Sequence, residues 1–231
     1  MAVSDPAVDD TPADRHRRYA GAFSDRVRGT RDWTAPAPVA GWTARDVVRH
    51  LVEWFPAFLA SGSDVRLPPG PSVDDDPVAA WQHQVDAVQA VLDDPATARR
   101  MLSNPHIGEV PLDQAIDRFY ISDVFMHTWD LARATGQDDR LDPALCADLL
   151  AGMEPIDELL RQSGQYGPKV AVPDDADVQA RMLGFIGRDP AWTPTGAMTG
   201  AQSGRSARRA TFASSRRTAT ACPPVPITSA R

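Results

Sequence analysis

A chain of 231 residues, 42% of them hydrophobic, is long enough to bury a sizeable core in one domain, with or without a tail. Its net charge of −7 argues against a nucleic-acid partner, whose phosphates call for a basic face, and no apolar run approaches the roughly 20 residues that cross a bilayer. The N-terminus Met1-Ala-Val-Ser-Asp-Pro6 is acidic without an apolar signal core, so the expected location is the cytoplasm, with neither nucleic acid nor membrane as partner.

The predicted first helix runs from about Ala13 to Arg28 and places Tyr19, Ala22, Phe23 and Val27 on one side, with His16 on an exposed face. After a loop with Pro36 and Pro38, Thr43 reads as an N-cap with Asp46 three residues on. The second helix then continues to about Ala60, with Pro56 as a candidate kink. A long loop through Pro68-Pro-Gly-Pro71 and Asp74-Asp-Asp76 leads to a third helix, Pro77 to Leu92, opened by a first-turn proline. Asn104-Pro-His-Ile-Gly108 reads as a loop or short strand. The longest helix is expected from about Leu112 to Thr135, stopped by Gly136. Asp142-Pro143 starts a fifth, bent or broken past Pro155 on the way to Gln162, and Asp174 or Asp175 opens a sixth that ends near Gly187.

No convincing sheet emerges. The expected fold class is all-α: an antiparallel four-helix bundle with additional short helices over residues 13–192. Residues 193–231 hold six arginines and no Asp, Glu or Lys among small Ser, Thr, Ala and Gly residues, so the part before them is the more acidic. Such a composition cannot repay the entropy of ordering, and a disordered basic tail is expected. The alternative, a basic arm for nucleic acid or membrane, is weakened by the scatter of its arginines.

Cys146 and Cys222 are the two cysteines, one in a predicted helix and one in the Pro-rich tail, so no Cys-based cage is available and any metal must be held by His and carboxylate. In the second helix Val47, His50, Leu51, Trp54 and Phe58 recur at three- and four-residue spacing, which turns His50 inward. In the fourth, Ile116, Phe119, Asp123, His127, Leu131 and Ala134 share a face, and Asp123 and His127 lie one turn apart on it. A carboxylate at a core position needs a partner. A divalent ion held by His50, Asp123 and His127 meets that need, and two imidazoles with one carboxylate suit zinc, nickel or iron(II) with positions left open. The same spacing also suits a buried ion pair, and a lone His is often a satisfied core residue.

Three stretches carry a resemblance: Gly41-Trp-Thr-Ala-Arg-Asp-Val-Val-Arg-His50-Leu51, Asp123-Val-Phe-Met-His127-Thr-Trp-Asp-Leu-Ala-Arg-Ala-Thr-Gly136, and Gly187-Arg-Asp-Pro-Ala-Trp192. Over roughly Asp14 to Trp192 the chain resembles the DinB-like metal-binding bundles related to the N-terminal domain of mycothiol-dependent maleylpyruvate isomerase. The resemblance implies a divalent ion, usually zinc, on His50, Asp123 and His127, with mycothiol as co-substrate and a homodimer as the assembly. Asp123 stands where the isomerase branch has a longer Glu and many DinB-like proteins a third His. The isomerase also has a second, C-terminal α/β domain, whereas Trp192 is followed here by the Arg/Ser/Thr/Ala tail. That argues against maleylpyruvate isomerisation itself and leaves a related thiol-dependent reaction.

The expected function is therefore a divalent-metal-binding protein, a mycothiol-dependent transferase or isomerase-like enzyme taking a small-molecule thiol and an electrophile. The alternative is a non-catalytic metal- or small-ligand-binding module. Asp130 is placed in a surface pair with Arg133, with support of His127 as the second choice. Glu53 is a candidate base or substitute ligand, His106 a candidate pocket rim, His83 a solvated residue, and Tyr166 a turn residue within reach of the site. Trp54, Phe119 and Trp129 are assigned to the core.

Overall fold

The structure, a computed structural model, describes residues 10–194 except 106 and 165. The readings made for Cys222, for His106 and for nearly all of the predicted tail lie outside the described residues. What is described is mostly helical. α1 (Pro12–Gly29) starts at Thr11, whose side chain accepts from the Asp14 amide. α2 (Ala44–Gly62) opens on a complete capping box, in which the Thr43 side chain takes the Asp46 amide and the Asp46 carboxylate takes the Thr43 amide. The helix runs on through Pro56. α3 (Pro77–Asp93) is capped by Asp76, which accepts from the Val78 and Ala79 amides.

The short α4 (Pro95–Ala98) leads into the one departure from an all-helical chain, an antiparallel hairpin of β1 (Met101–Asn104) and β2 (Gly108–Pro111). The sequence offered a loop or short strand at residues 104–108, because strands of four residues are too short to display a two-residue period. α5 (Leu112–Ala115) then passes through a π-helical stretch, Ile116–Ile121, into α6 (Ser122–Thr135), which ends at Gly136 with φ 68°. The wide turn alters the predicted register. Tyr120 and Ile121 are buried, while Phe119 is only partly buried and meets Phe58 with ring centroids 5.8 Å apart. π turns are rare and recur at functional sites, and this one ends two residues before Asp123.

α7 (Pro143–Met153), capped by Asp142, is broken at Pro155 by a 3₁₀ turn before α8 (Asp157–Gln162). α9 (Val178–Phe185) starts later than the acidic run predicted, since Asp177 is the residue whose side chain caps it. Helices α1, α3, α2 and α6 pack in a ring, each against two of the others, and α7 packs on α9. Inside lie Phe23 against Trp81, with centroids 4.5 Å apart, Val27, Leu51, Phe55, Leu59 and Trp129. Trp81 also donates its indole N–H to Ser24 Oγ at 2.8 Å, so the polar end of this large side chain is satisfied. His16 is fully buried in α1, contrary to the exposed face expected for it, and its Nδ1 lies 2.7 Å from Gln89 Oε1 of α3. Among the described residues no helix is long and apolar enough to cross a membrane.

Candidate metal centre

The α2–α6 contact brings His50 onto the Asp123–His127 pair. His50 Nε2 is 3.0 Å from Asp123 Oδ2, and His127 Nε2 is 3.5 Å from Asp123 Oδ1. The three potential ligand atoms lie within 4.8 Å of one another. Two ligands on one tetrahedral zinc ion, each about 2.0–2.1 Å from it, stand roughly 3.3 Å apart, so the donor set matches a single small ion after modest side-chain adjustment. Asp123 is one methylene shorter than a Glu and still reaches both rings. Its side chain is 20% exposed and that of His50 28%, against 7% for His127, so the cluster opens outward on the His50 side.

Asp123 is held by more than the two histidines. Trp54 donates its indole N–H to Asp123 Oδ2 at 2.9 Å, a polar role beyond the core packing assigned to it. Burial pushes the Asp123 carboxyl up, but His127, His50 and the Trp54 donor outweigh it and hold the group below the ordinary carboxylate value, hence anionic. Trp42 covers the rings, 5.7 Å from His127 in a stacked arrangement and 5.1 Å from His50. Tyr166 sits close enough for the Asp123 charge to add to burial in raising its phenol to about 12. It therefore stays protonated at neutral pH.

Asp130 is where the sequence expectation fails. In place of a surface pair with Arg133, it is 1% exposed, accepts from His127 Nδ1 at 2.8 Å and takes Arg188 Nε at 2.9 Å and Arg188 Nη2 at 3.1 Å. Burial alone raises its carboxyl, and Arg188 followed by His127 brings it below its ordinary value. Arg133 instead pairs with Asp139 and lies over the Trp129 ring. The physical reason is register: position 130 follows His127 on the buried side of α6, and only a residue far along the chain could reveal the cation that meets it there.

The remaining candidates fall away from the cluster. Glu53 is exposed and faces Arg49 at 3.6 Å, which removes the argument for it as a base. His83 is partly exposed and lies 3.0 Å from the Pro68 carbonyl. Trp129 is buried in the core, as expected. Cys146 is buried, and burial, with Asp142 and Asp177 adding to it, pushes its thiol up to about 12, so it offers no thiolate nucleophile. Sequence reasoning missed Trp42 and Arg188. Both lie inside the quoted motifs; Arg188 meets a partner 58 residues away, and Trp42 sits ahead of α2, outside the helical spacing that singled out His50.

Residues 14–132 match the family of the mycothiol maleylpyruvate isomerase N-terminal domain. The chain belongs to this family. All three candidate ligands fall within the matched stretch, whereas Arg188 lies beyond it. Two uncharacterized proteins of Mycobacterium tuberculosis, from two strains, are each 29% identical to this chain over 184 residues, which is 77% of this chain and 97% of the relative. No solved structure matches it.

Proposed function

We propose that this protein is a DinB-like four-helix-bundle metalloprotein that binds one divalent ion, zinc foremost and nickel or iron(II) as alternatives, through His50, Asp123 and His127, and activates a small-molecule thiol there. The convergence of two imidazole nitrogens and an anionic carboxylate within 4.8 Å carries this reading. Three protein ligands suit an open, catalytic type of site better than a structural one, which is normally closed by four. A bound divalent ion supplies Lewis acidity, lowering the pKa of a coordinated thiol or water so that a nucleophile exists at neutral pH.

The chain's own residues do the rest. Asp123 neutralises part of the ion's charge and is fixed by Trp54. His127 is oriented through Nδ1 by Asp130, which would leave Nε2 free to hold the ion. Trp42 shields the two rings from water on one side. The family's name points to mycothiol as the thiol, with a small electrophile as its partner.

The test is elemental analysis of the purified protein, followed by incubation of the loaded form with mycothiol and a panel of electrophiles. The expected result is about one metal per chain and a thiol adduct that depends on it. Metal without any adduct would favour the non-catalytic binding module, and absence of metal after loading with zinc would sink the reading altogether.

A further inference from the structure

The site's support comes from the far end of the chain. Two residues past the end of α9 stands Gly187, whose φ of 87° is in the left-handed region and whose added Cβ would stand 2.9 Å from the Pro168 carbonyl oxygen, so glycine is required there. That turn sends Arg188 back onto α6. Its guanidinium meets Asp130 through two nitrogens, and Asp130 in turn accepts from His127 Nδ1. The same segment is tied to α6 a second time, by Arg133 donating to the Pro190 carbonyl without touching Asp130.

The geometry points to Arg188 as a positioning residue of the metal centre: by clamping Asp130 it fixes the His127 ring with Nδ1–H inward and Nε2 toward Asp123. The segment after α9 thus completes a site whose ligands all lie within residues 14–132. This rests on the metal reading above. A metal-ligating imidazole almost always donates its other ring N–H to an acceptor that fixes its tautomer and orientation, and such outer partners are commonly worth about 10- to 100-fold in metal affinity. A carboxylate gripped by a two-nitrogen fork cannot swing off the ring, whereas one with His127 as its sole partner can. A merely structural ion pair would hold the chain together without setting the His127 tautomer.

The full chain is the material for the test, with Zn²⁺ affinity read by competition against a chromogenic chelator and the His127 tautomer read from its ring ¹⁵N shifts. Arg188→Gln is expected to weaken Zn²⁺ binding by about 10- to 100-fold and to mix the two tautomers. Asp130→Asn should do at least as much, adding Arg188→Gln to it should change affinity little further, and Arg133→Gln should leave affinity within about twofold. If Arg188→Gln does not fold, Arg188→Lys, which keeps the cation without the fork, carries the same comparison and should retain part of the affinity. A folded Arg188 variant with wild-type affinity and tautomer overturns the inference, as does a loss of the same size with Asp130 already replaced. Should the wild type bind no Zn²⁺, the metal reading alone fails, and the tautomer measurement still decides whether Arg188 positions His127.

Discussion

Two polar clusters interrupt the apolar interior of the helix ring, and they differ in charge. Around the candidate centre, Asp123 accepts from the Trp54 indole and lies between the His50 and His127 rings, while the buried Asp130 is met by His127 and Arg188, so both carboxylates are engaged. Deeper inside, His16, Gln84 and Tyr120 are neutral, with Gln89 reaching His16 from a partly exposed position, and His16 Nε2 has no partner among the described residues. A neutral buried group left unpaired costs about 1–3 kcal/mol, and an unpaired charge costs far more. The contrast teaches that the charged cluster had to be assembled as a unit, with contributions from α2, α6 and the segment after α9, while the neutral one is tolerated piecemeal.

The largest effect should come from breaking the charged cluster at its most buried member. Asp130→Ala leaves the Arg188 cation without its carboxylate, and chemical denaturation should record a loss of about 3–5 kcal/mol. An unfolding midpoint equal to that of the wild type would mean that the clamp is idle. In the neutral cluster, His16→Ala removes a packed ring and the Gln89 contact for about 2–3 kcal/mol by the same measurement. Metal content should stay unchanged, because His16 is not among the clustered ligand atoms.

These two variants also mark what was legible in the sequence. His50, Asp123 and His127 stood out because polar residues occupied helix positions whose spacing marked them as interior, and register alone made Asp123 and His127 neighbours. His16 stands three, seven and eleven residues before Tyr19, Phe23 and Val27, on the face that is buried, so its spacing marked it as interior and its polarity alone argued for an exposed face; its partner Gln89 lies across the α1–α3 contact. Asp130 needed Arg188, 58 residues away. The π turn before Asp123 was invisible for another reason: Tyr120 stands four residues from both Ile116 and Val124, an ordinary helical spacing that does not betray the wider turn. Helix ends were easier, since Thr11, Thr43, Asp76 and Asp142 act through neighbours within three residues.

A pH titration sharpens the comparison further. Burial, opposed by the Gln89 contact, holds the His16 imidazole below its ordinary 6.5. The unfolded chain therefore binds a proton near that pH while the folded chain does not. The stability linked to His16 is complete above about pH 6.5 and is lost as pH falls toward the folded value, with a slope of up to about 1.4 kcal/mol per pH unit. His16→Gln should flatten that part of the profile; an unchanged slope would show that another group is responsible. The smallest effect is expected at Thr43→Ala, which removes the capping box of the helix that presents His50. It should lower stability by about 1 kcal/mol in thermal unfolding and weaken metal binding only slightly, a result that a large loss of affinity would contradict.

The most direct measurement of the central claim is a cobalt(II) titration followed by visible absorption, on the wild type and on His50→Ala, Asp123→Ala and His127→Ala. The wild type should saturate near one ion per chain with the intense ligand-field bands of a low-coordinate site, and each variant should lose those bands or bind far more weakly. Bands of undiminished intensity in all three variants would place the ion elsewhere and contradict the account.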